Sequence, residues 1–315
     1  MARRPLSIPE EVKVKIREHI SESYKNALDG YYSANEEEDA LTGDLGATLR
    51  VKNQKVIVKS EKQSGTWTWS INYHKFRGRG PGATESLLGA DGIFELSLKE
   101  GNYIQKKNLL FQSKMNWKDD PNLIQQTLKL TTWREAAFVL NFTPDVFEAI
   151  DLDTVISSRG KRLELTKTKK LDEFLGHDFL NCHVGDMDLK YDGKARKLIW
   201  RTNKGETVAT KFSIPHRIAV EVKAPTRTHG NDMNYDREIP HDEIYKNRME
   251  ASKEDILSLE YNATLKELKK ARIGKALIYH SDKFTFKDDL LNEIMKTRMH
   301  EVNQAHDSLK QKFKK

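Results

Sequence analysis

The sequence predicts an α/β fold in which a mixed central sheet is flanked by helices and followed by a helical C-terminal extension. Apolar residues recur at helical spacing between residues 12 and 28, whereas several segments between residues 51 and 114 alternate in the manner of strands. Residues 241–315 are heavily charged and mostly helical in pattern. At 315 residues, the chain is long enough for one or two domains with a substantial core.

Composition excludes several classes of protein. The longest apolar run, residues 136–140, is far shorter than the ~20 residues of a membrane span, and the N-terminus lacks the apolar stretch of a signal peptide. The single cysteine, Cys182, excludes an intrachain disulfide framework and favours a reduced cytoplasmic setting. Lys and Arg number 54 against 47 Asp and Glu, so the net charge of +7 permits a polyanionic partner without proving one.

The order of elements begins with two helices. Pro9 suits the first turn of the first helix, Glu10 and Glu11 favour the positive end of its dipole, and a second helix is expected near Ala40, after the acidic stretch 35–39. Strands are then expected at 51–59, 67–73, 92–98, 107–114, 137–142, 197–200 and 217–222. Residues 78–92 predict a glycine-rich loop, 121–138 a helix, and 145–183 a mainly helical region.

Three polar residues meet at one end of the expected hairpin. Asp91 opens one strand, and Gln112 and Lys114 point to the same face of the next strand because side chains alternate. Mg²⁺ prefers oxygen ligands, which the Asp91 carboxylate, the Gln112 amide and the Ser113 backbone carbonyl supply. Lys114 is placed to orient a water or to offset phosphate charge, and a second acid from the early helix would complete the ligand set.

This pattern resembles the PD-(D/E)xK nuclease superfamily, in its variant with Gln in place of Glu. The resemblance rests on Asp91 and Gln112-Ser113-Lys114, on the preceding helix with Glu37-Glu38-Asp39, and on the order helix, strand, strand, strand, helix, strand over residues 10–145. It also looks similar to nuclease subunits of bacterial anti-phage defence systems. The resemblance implies a restriction-endonuclease-like nuclease domain at residues 1–225 and a charged helical extension at residues 226–315.

The function that the resemblance implies is a DNA endonuclease dependent on Mg²⁺ or Mn²⁺. Its catalytic residues would be Glu38, Asp91, Gln112 and Lys114, and its metal ligands Glu38, Asp91, Gln112 and Ser113. Gln126 is followed four positions later by Leu130 rather than by Tyr, which argues against a processive exonuclease. The implied partners are DNA and a defence-complex protein such as an ATPase, a helicase or a sensor. The alternative is a non-catalytic nuclease-fold module that binds DNA or a partner ATPase or helicase.

Two further interpretations stay open. Lys75, Arg77 and Arg79 flank the glycine-rich loop and are candidates for holding DNA phosphates. A second Glu-x-Lys motif, Glu221-Val222-Lys223, ends a later strand, with Asp186 and Asp188 upstream as candidate partners. Pro225 follows this motif closely and disfavours a helix there. His216 and His241 adjoin prolines and are expected to be structural.

Overall fold

The computed structural model describes most of the chain. The described residues are 8–34, 37–60, 63–76, 89–115, 120, 122–158, 168–201, 207–211, 214–225, 253, 256–257, 259, 263–280 and 289–313. The chain divides into two compact units, of which one is Pro5–His229 and the other joins Gly230–Lys315 with Met1–Arg4. Arg77, Arg79 and most of the expected glycine-rich loop lie outside the described residues.

The larger unit is a mixed α/β structure, as the sequence predicts. Its helices are α1 (Glu10–Asp29), α2 (Tyr31–Ala34), α3 (Glu38–Thr48), α4 (Leu123–Leu130), α5 (Leu152–Ser157) and α6 (Leu171–Glu173). A 3-10 helix, Thr131–Ala136, follows α4, and a π-helical turn, Phe174–Phe179, follows α6.

A mixed sheet of eight strands forms the centre of this unit. Its strands lie in the order β1-β2-β11-β3-β4-β5-β6-β7, and a second sheet has the order β10-β9-β8. β3 pairs antiparallel with β4 and parallel with β11, and β4 pairs parallel with β5. The bounds are β1 (Val51–Val58), β2 (Gly65–Lys75), β3 (Gly92–Glu100), β4 (Tyr103–Met115), β5 (Ala137–Phe142), β6 (Phe147–Asp151), β7 (Lys169–Lys170), β8 (Lys190–Asp192), β9 (Lys197–Arg201), β10 (Thr207–Lys211) and β11 (His216–Lys223).

Alternation along the strands sends apolar side chains to both faces of the large sheet. On one face, Trp67 and Trp69 of β2 are buried in one cluster with Val12 and Ile16 of α1. On the other face, Ile93 of β3 belongs to a second cluster, which includes residues from α4, α5 and the small sheet. The centre of the sheet is therefore covered by helices on both sides, and the end of the β3–β4 hairpin lies between these layers.

The structure confirms most of the expected elements and adds a strand within a region that is otherwise mainly helical. The β3–β4 hairpin turns at Gly101 and Asn102, and β5 begins at Ala137, both as expected. The described part of residues 145–183 is mixed and mainly helical, as expected, but it includes β6, which pairs with β5 and β7 and was not expected as a strand. Phe147, Ala149 and Ile150 are buried there, so pairing and burial in the sheet override the local pattern.

The smaller unit contains two long helices, α7 (Leu265–Tyr279) and α8 (Asp289–Lys312). Thr264 and Glu267 form a reciprocal capping box at the start of α7, which satisfies backbone donors of its first turn. Arg272 donates to the side chain of Asn303, which joins α7 to α8. Among the described residues, no helix has both the length and the apolar character needed to cross a membrane.

Candidate active site

Two carboxylates lie along one edge of β4, at the end where this strand extends beyond β3. β3 begins at Gly92, which pairs with Phe111, so β4 continues for four residues beyond that pair. The backbone N–H of Ser113 donates to Asp91 Oδ2 at 2.7 Å, and that of Met115 donates to Glu38 Oε1 at 3.3 Å. Amides two residues apart on a strand point to the same side and lie about 7 Å apart. Asp91 and Glu38 are therefore held at one end of the sheet.

Gln112 and Lys114 join these acids. Gln112 Nε2 donates to Asp91 Oδ2 at 2.5 Å and to the Ser113 carbonyl at 3.3 Å. Lys114 Nζ lies 3.8 Å from Glu38 Oε1 and 2.9 Å from Asp120 Oδ2. The structure thus brings together every residue expected to be catalytic, and it adds Asp120, which the sequence pattern did not indicate.

The two carboxylates beside Lys114, those of Glu38 and Asp120, differ in how well their negative charges are stabilised. Burial raises the pKa of the Glu38 carboxyl, and the nearby Lys114 ammonium and Met115 N–H only partly oppose this. Burial also acts on Asp120, but hydrogen bonds from Lys114 and from the Asn122 backbone bring its pKa below the ordinary value. Lys114 is therefore engaged mainly by Asp120, and the Glu38 charge would gain from an additional cation.

Ser113 contributes to the site through its backbone. Its hydroxyl lies on the opposite face of β4, 2.8 Å from the hydroxyl of Thr42 on α3. Thr42 also donates to the Glu38 carbonyl at 2.8 Å. These buried contacts fix the first turn of α3 against β4 and hold Glu38 above the strand end.

A second polar network, centred on His216, adjoins the acids. His216 Nε2 lies 2.9 Å from Asp39 Oδ1, and its Nδ1 lies 2.9 Å from the Tyr73 hydroxyl. Lys75 Nζ donates to Asp39 Oδ2 at 2.6 Å, and the backbone N–H of His216 donates to the Asp91 carbonyl at 3.1 Å. His216 thus has the structural role that the sequence predicts, and it also lies within the candidate site.

Burial determines the protonation of this network. Burial lowers the pKa of His216, although the hydrogen bond to Asp39 opposes this, so a neutral imidazole donates from Nε2 and accepts at Nδ1. Burial and the Asp39 charge raise the pKa of Tyr73 to about 12, which keeps its hydroxyl a donor. Burial acts to raise the pKa of Asp39, but the hydrogen bonds from Lys75 and His216 outweigh this effect, so the pKa of Asp39 lies below its ordinary value.

The sequence offered no signal for the His216 network. Its members come from β2, α3 and β11, and local periodicity does not show that β11 inserts next to β2 and β3. Of the expected DNA contacts, Lys75 is half exposed and its ammonium pairs with Asp39. Arg77 and Arg79 lie outside the described residues.

The second Glu-x-Lys motif lies at the opposite end of the sheet. Along the β3–β11 pair, His216 faces Gly92, whereas Lys223 faces Lys99. Asp186 forms a bridge with Asn108 of β4, so β3 and β4 separate it from β11. The structure therefore brings Glu221 together neither with Asp186 nor with Asp91.

The donor set of the site suits a hard cation. Within the described ranges, no group of three or more His, Cys, Asp and Glu side chains is placed to hold a metal ion. Mg²⁺ needs only one or two carboxylates because it retains several waters, and Glu38, Asp91 and the Ser113 carbonyl offer such oxygens. Gln112 directs its NH₂ group toward Asp91. For Gln112 to bind a metal ion beside Asp91, its side-chain amide must rotate so that the oxygen faces the ion.

Comparisons with protein-family models, curated proteins and solved structures find no match to this chain. The function of this chain is therefore inferred from the residues of the site and from the elements that carry them.

Proposed function

We propose that this chain is a metal-dependent nuclease with a PD-(D/E)xK core, of restriction-endonuclease-like fold, that hydrolyses phosphodiester bonds within DNA. One observation carries this proposal: Asp91, which directly precedes β3, lies beside Gln112 and Lys114 of the neighbouring strand β4, with Glu38 of α3 at the same end. Four strands, β1 to β4, lie between α3 and α4, where the resemblance implies three, and α4 and β5 then follow in the implied order.

Each residue has a separate task in this proposal. Asp91 and Glu38 would hold Mg²⁺ or Mn²⁺ together with the oxygens of Gln112 and Ser113. The bound metal would lower the pKa of a water and stabilise charge that develops on the phosphate. Lys114, whose side chain is 7% exposed, would orient the attacking water through its ammonium group. Its contact with Asp120 limits the freedom of that ammonium group.

The biological setting is proposed on narrower grounds. The role of effector in an anti-phage defence complex, with an ATPase, helicase or sensor as partner, rests on the sequence resemblance alone. A cytoplasmic location follows from the same resemblance and from the use of a single cysteine. The site chemistry can be tested without either assumption.

The first test is cleavage of supercoiled plasmid with Mg²⁺ or Mn²⁺ by the wild type, Asp91→Asn and Lys114→Gln. Asparagine retains an oxygen that accepts from the Ser113 N–H, so Asp91→Asn removes charge with little effect on the fold. We expect each variant to lose activity by about 100-fold or more, because charge stabilisation and water orientation act in the transition state. Glu100→Gln, an exposed acid at the far end of β3, is the matched control and should cleave normally.

Mn²⁺ binding measured by calorimetry in the absence of DNA gives an independent readout. Wild type should bind Mn²⁺, and Asp91→Asn should bind it more weakly. Equal cleavage by wild type and Asp91→Asn would reject the site. Binding of DNA and Mn²⁺ without cleavage would favour the non-catalytic module, and a loss of cleavage only in Glu221→Gln would move the site to the second motif.

A further inference from the structure

The β1–β2 ribbon carries a charge of one sign. This name denotes β1, β2 and their described flanks, residues 50–60 and 63–76. Within those ranges the charged residues are all basic, namely Arg50, Lys52, Lys55, Lys59 and Lys75, whereas Glu61 and Lys62, one of each sign, lie outside the described residues. The whole chain, by contrast, has 54 basic and 47 acidic residues. Such a separation of charge favours an anionic partner.

Three lysines, two on β1 and one directly after it, are accessible. β1 is the edge strand of the large sheet, and Lys52, Lys55 and Lys59 are exposed. In the part of the chain that the structure describes, no carboxylate forms an ion pair with any of these three lysines. Their charges are therefore available to a partner, unlike the Lys75 ammonium, which pairs with Asp39.

Protection of an open sheet edge is the simpler explanation for edge lysines. It accounts for lysine on β1 but not for the composition of β2. Trp67, Trp69 and Ile71 of β2 are buried toward the helices, and the opposite face of this strand is polar. That face is partly or fully exposed and consists of Thr66, Thr68, Ser70, Asn72 and His74. Hydroxyl and amide groups beside lysines are typical of contacts to phosphate and sugar.

The ribbon extends away from the candidate active site. Lys75, at the end of β2, pairs with Asp39, the neighbour of Glu38. Lys55 lies opposite Thr68, which is seven residues from Lys75 along β2. This separation is about 23 Å and corresponds to roughly seven base pairs of duplex at 3.4 Å each. A duplex bound at the acids can therefore follow the ribbon.

We propose that the β1–β2 ribbon binds the sugar-phosphate backbone of duplex DNA beside the point of cleavage. This inference rests on the proposed nuclease function and assigns its substrate-binding surface. Single-strand binding surfaces stack bases on exposed aromatic side chains, whereas Trp67 and Trp69 are each 4% exposed. The ribbon thus supplies charge and hydrogen-bonding groups while both of its tryptophans are withheld from base stacking, which suits a rigid duplex and predicts binding with little sequence preference.

The test compares two triple variants of the full chain. Lys52→Ala, Lys55→Ala and Lys59→Ala are combined in the ribbon, and Lys266→Ala, Lys269→Ala and Lys270→Ala in α7, where all three lysines are exposed. Binding to a fluorescent duplex is followed by anisotropy over a range of NaCl concentrations in EDTA, which prevents metal-dependent cleavage. Melting curves check that both variants are folded.

We expect the ribbon variant to bind at least about 10-fold more weakly at moderate salt. The negative slope of log K against log salt should become less steep by about 2.7, because each lost phosphate contact removes about 0.9 from its magnitude. The α7 variant changes the net charge by the same amount and should retain the wild-type slope. Equal losses in both variants, or no loss in the ribbon variant, would overturn the inference, as would stronger wild-type binding to a single strand than to the duplex.

The cleavage assay separates this inference from the proposed function. Wild type that binds duplex through the ribbon but never cleaves with Mg²⁺ or Mn²⁺ would reject the nuclease function and retain the ribbon as a DNA-binding surface. Wild type that cleaves, while the ribbon variant binds and cleaves equally well, would reject the ribbon alone.

Discussion

His216 contacts both acidic parts of the candidate site through different atoms. Its imidazole bonds Asp39, the neighbour of Glu38 on α3, and its backbone N–H bonds the carbonyl of Asp91. The side chain is 2% exposed, so it does not reach a substrate. Its effect is therefore to position the two elements that carry the acids.

The burial of His216 predicts a loss of stability in weak acid. Its folded-state pKa lies below the ordinary value of 6.5, so the unfolded chain takes up a proton in a range where the folded protein does not. The free energy of unfolding should therefore fall as the pH decreases from about 6.5. The lowered pKa of Asp39 adds a further loss below its ordinary value of 3.8. Urea unfolding at a series of pH values measures both effects.

His216→Gln isolates the first of these effects. Glutamine retains hydrogen-bonding groups but does not titrate, so this variant should lose less stability between pH 7 and weak acid than the wild type. His183→Gln, at a side chain that is 67% exposed, serves as the control and should follow the wild-type profile. Parallel profiles for wild type and His216→Gln would contradict the assignment.

Individual residues differed in how far the sequence could reveal them. Asp91 directly precedes the first strand of one hairpin, and Gln112 and Lys114 lie on its second strand, so alternation and turn signals were enough to place them together. Asp39 and His216 are separated by 177 residues, and their contact depends on a strand order that local patterns do not encode. Asp120 follows β4 outside any regular element, where no periodicity applies.

At the scale of elements, α3 is placed by close packing against β2. A Cβ atom added at Gly46 would lie 2.4–2.7 Å from ring atoms of Tyr73, closer than real contacts allow. A Cβ at Gly43 would meet only the Tyr73 hydroxyl, at 3.5 Å. The helix can therefore approach the sheet closely because residue 46 is a glycine. The position of the helix in turn sets the distance of Glu38 and Asp39 from the sheet.

Two glycine substitutions in the same helix should have opposite effects. Alanine favours a helix over glycine by about 0.5–1 kcal/mol, so Gly43→Ala should stabilise the protein by that amount. Gly46→Ala should destabilise it by about 1–3 kcal/mol, because the tyrosine ring must move, and should weaken Mn²⁺ binding. Urea unfolding and calorimetry measure the two quantities. Stabilisation by Gly46→Ala would show that α3 has room to shift.

Elements with strong local signals were predictable, and their neighbours in the sheet were not. The β3–β4 hairpin follows from two alternating segments around Gly101 and Asn102. β11 was expected as a strand, but its insertion between β2 and β3 depends on which edges remain open after earlier strands pair. β6 was missed because its five residues owe their conformation to pairing on both sides.

For the whole molecule, the order of strands along the chain differs from their order in space. β11 is the last strand of the larger unit, yet it lies between β2 and β3 and contributes His216. Asn72 pairs with Ala219, so this contact closes a loop of more than half of Pro5–His229. The larger unit also buries its own apolar clusters on both faces of the sheet. The sheet of the larger unit is therefore complete only when β11 is in place.

A pair of nested truncations tests this dependence. A fragment of residues 5–229 retains β11, so we expect cooperative urea unfolding and Mn²⁺ binding like that of the full chain. A fragment of residues 5–213 lacks the central strand, which leaves the facing edges of β2 and β3 unpaired and removes buried Ile218, Val220 and Val222. We expect it to be protease-sensitive and to bind no Mn²⁺, because unpaired backbone groups and lost apolar burial together exceed the margin of stability. Cooperative unfolding of the shorter fragment would show that β11 is added to a sheet that is already stable, and failure of the longer one would place essential contacts beyond residue 229.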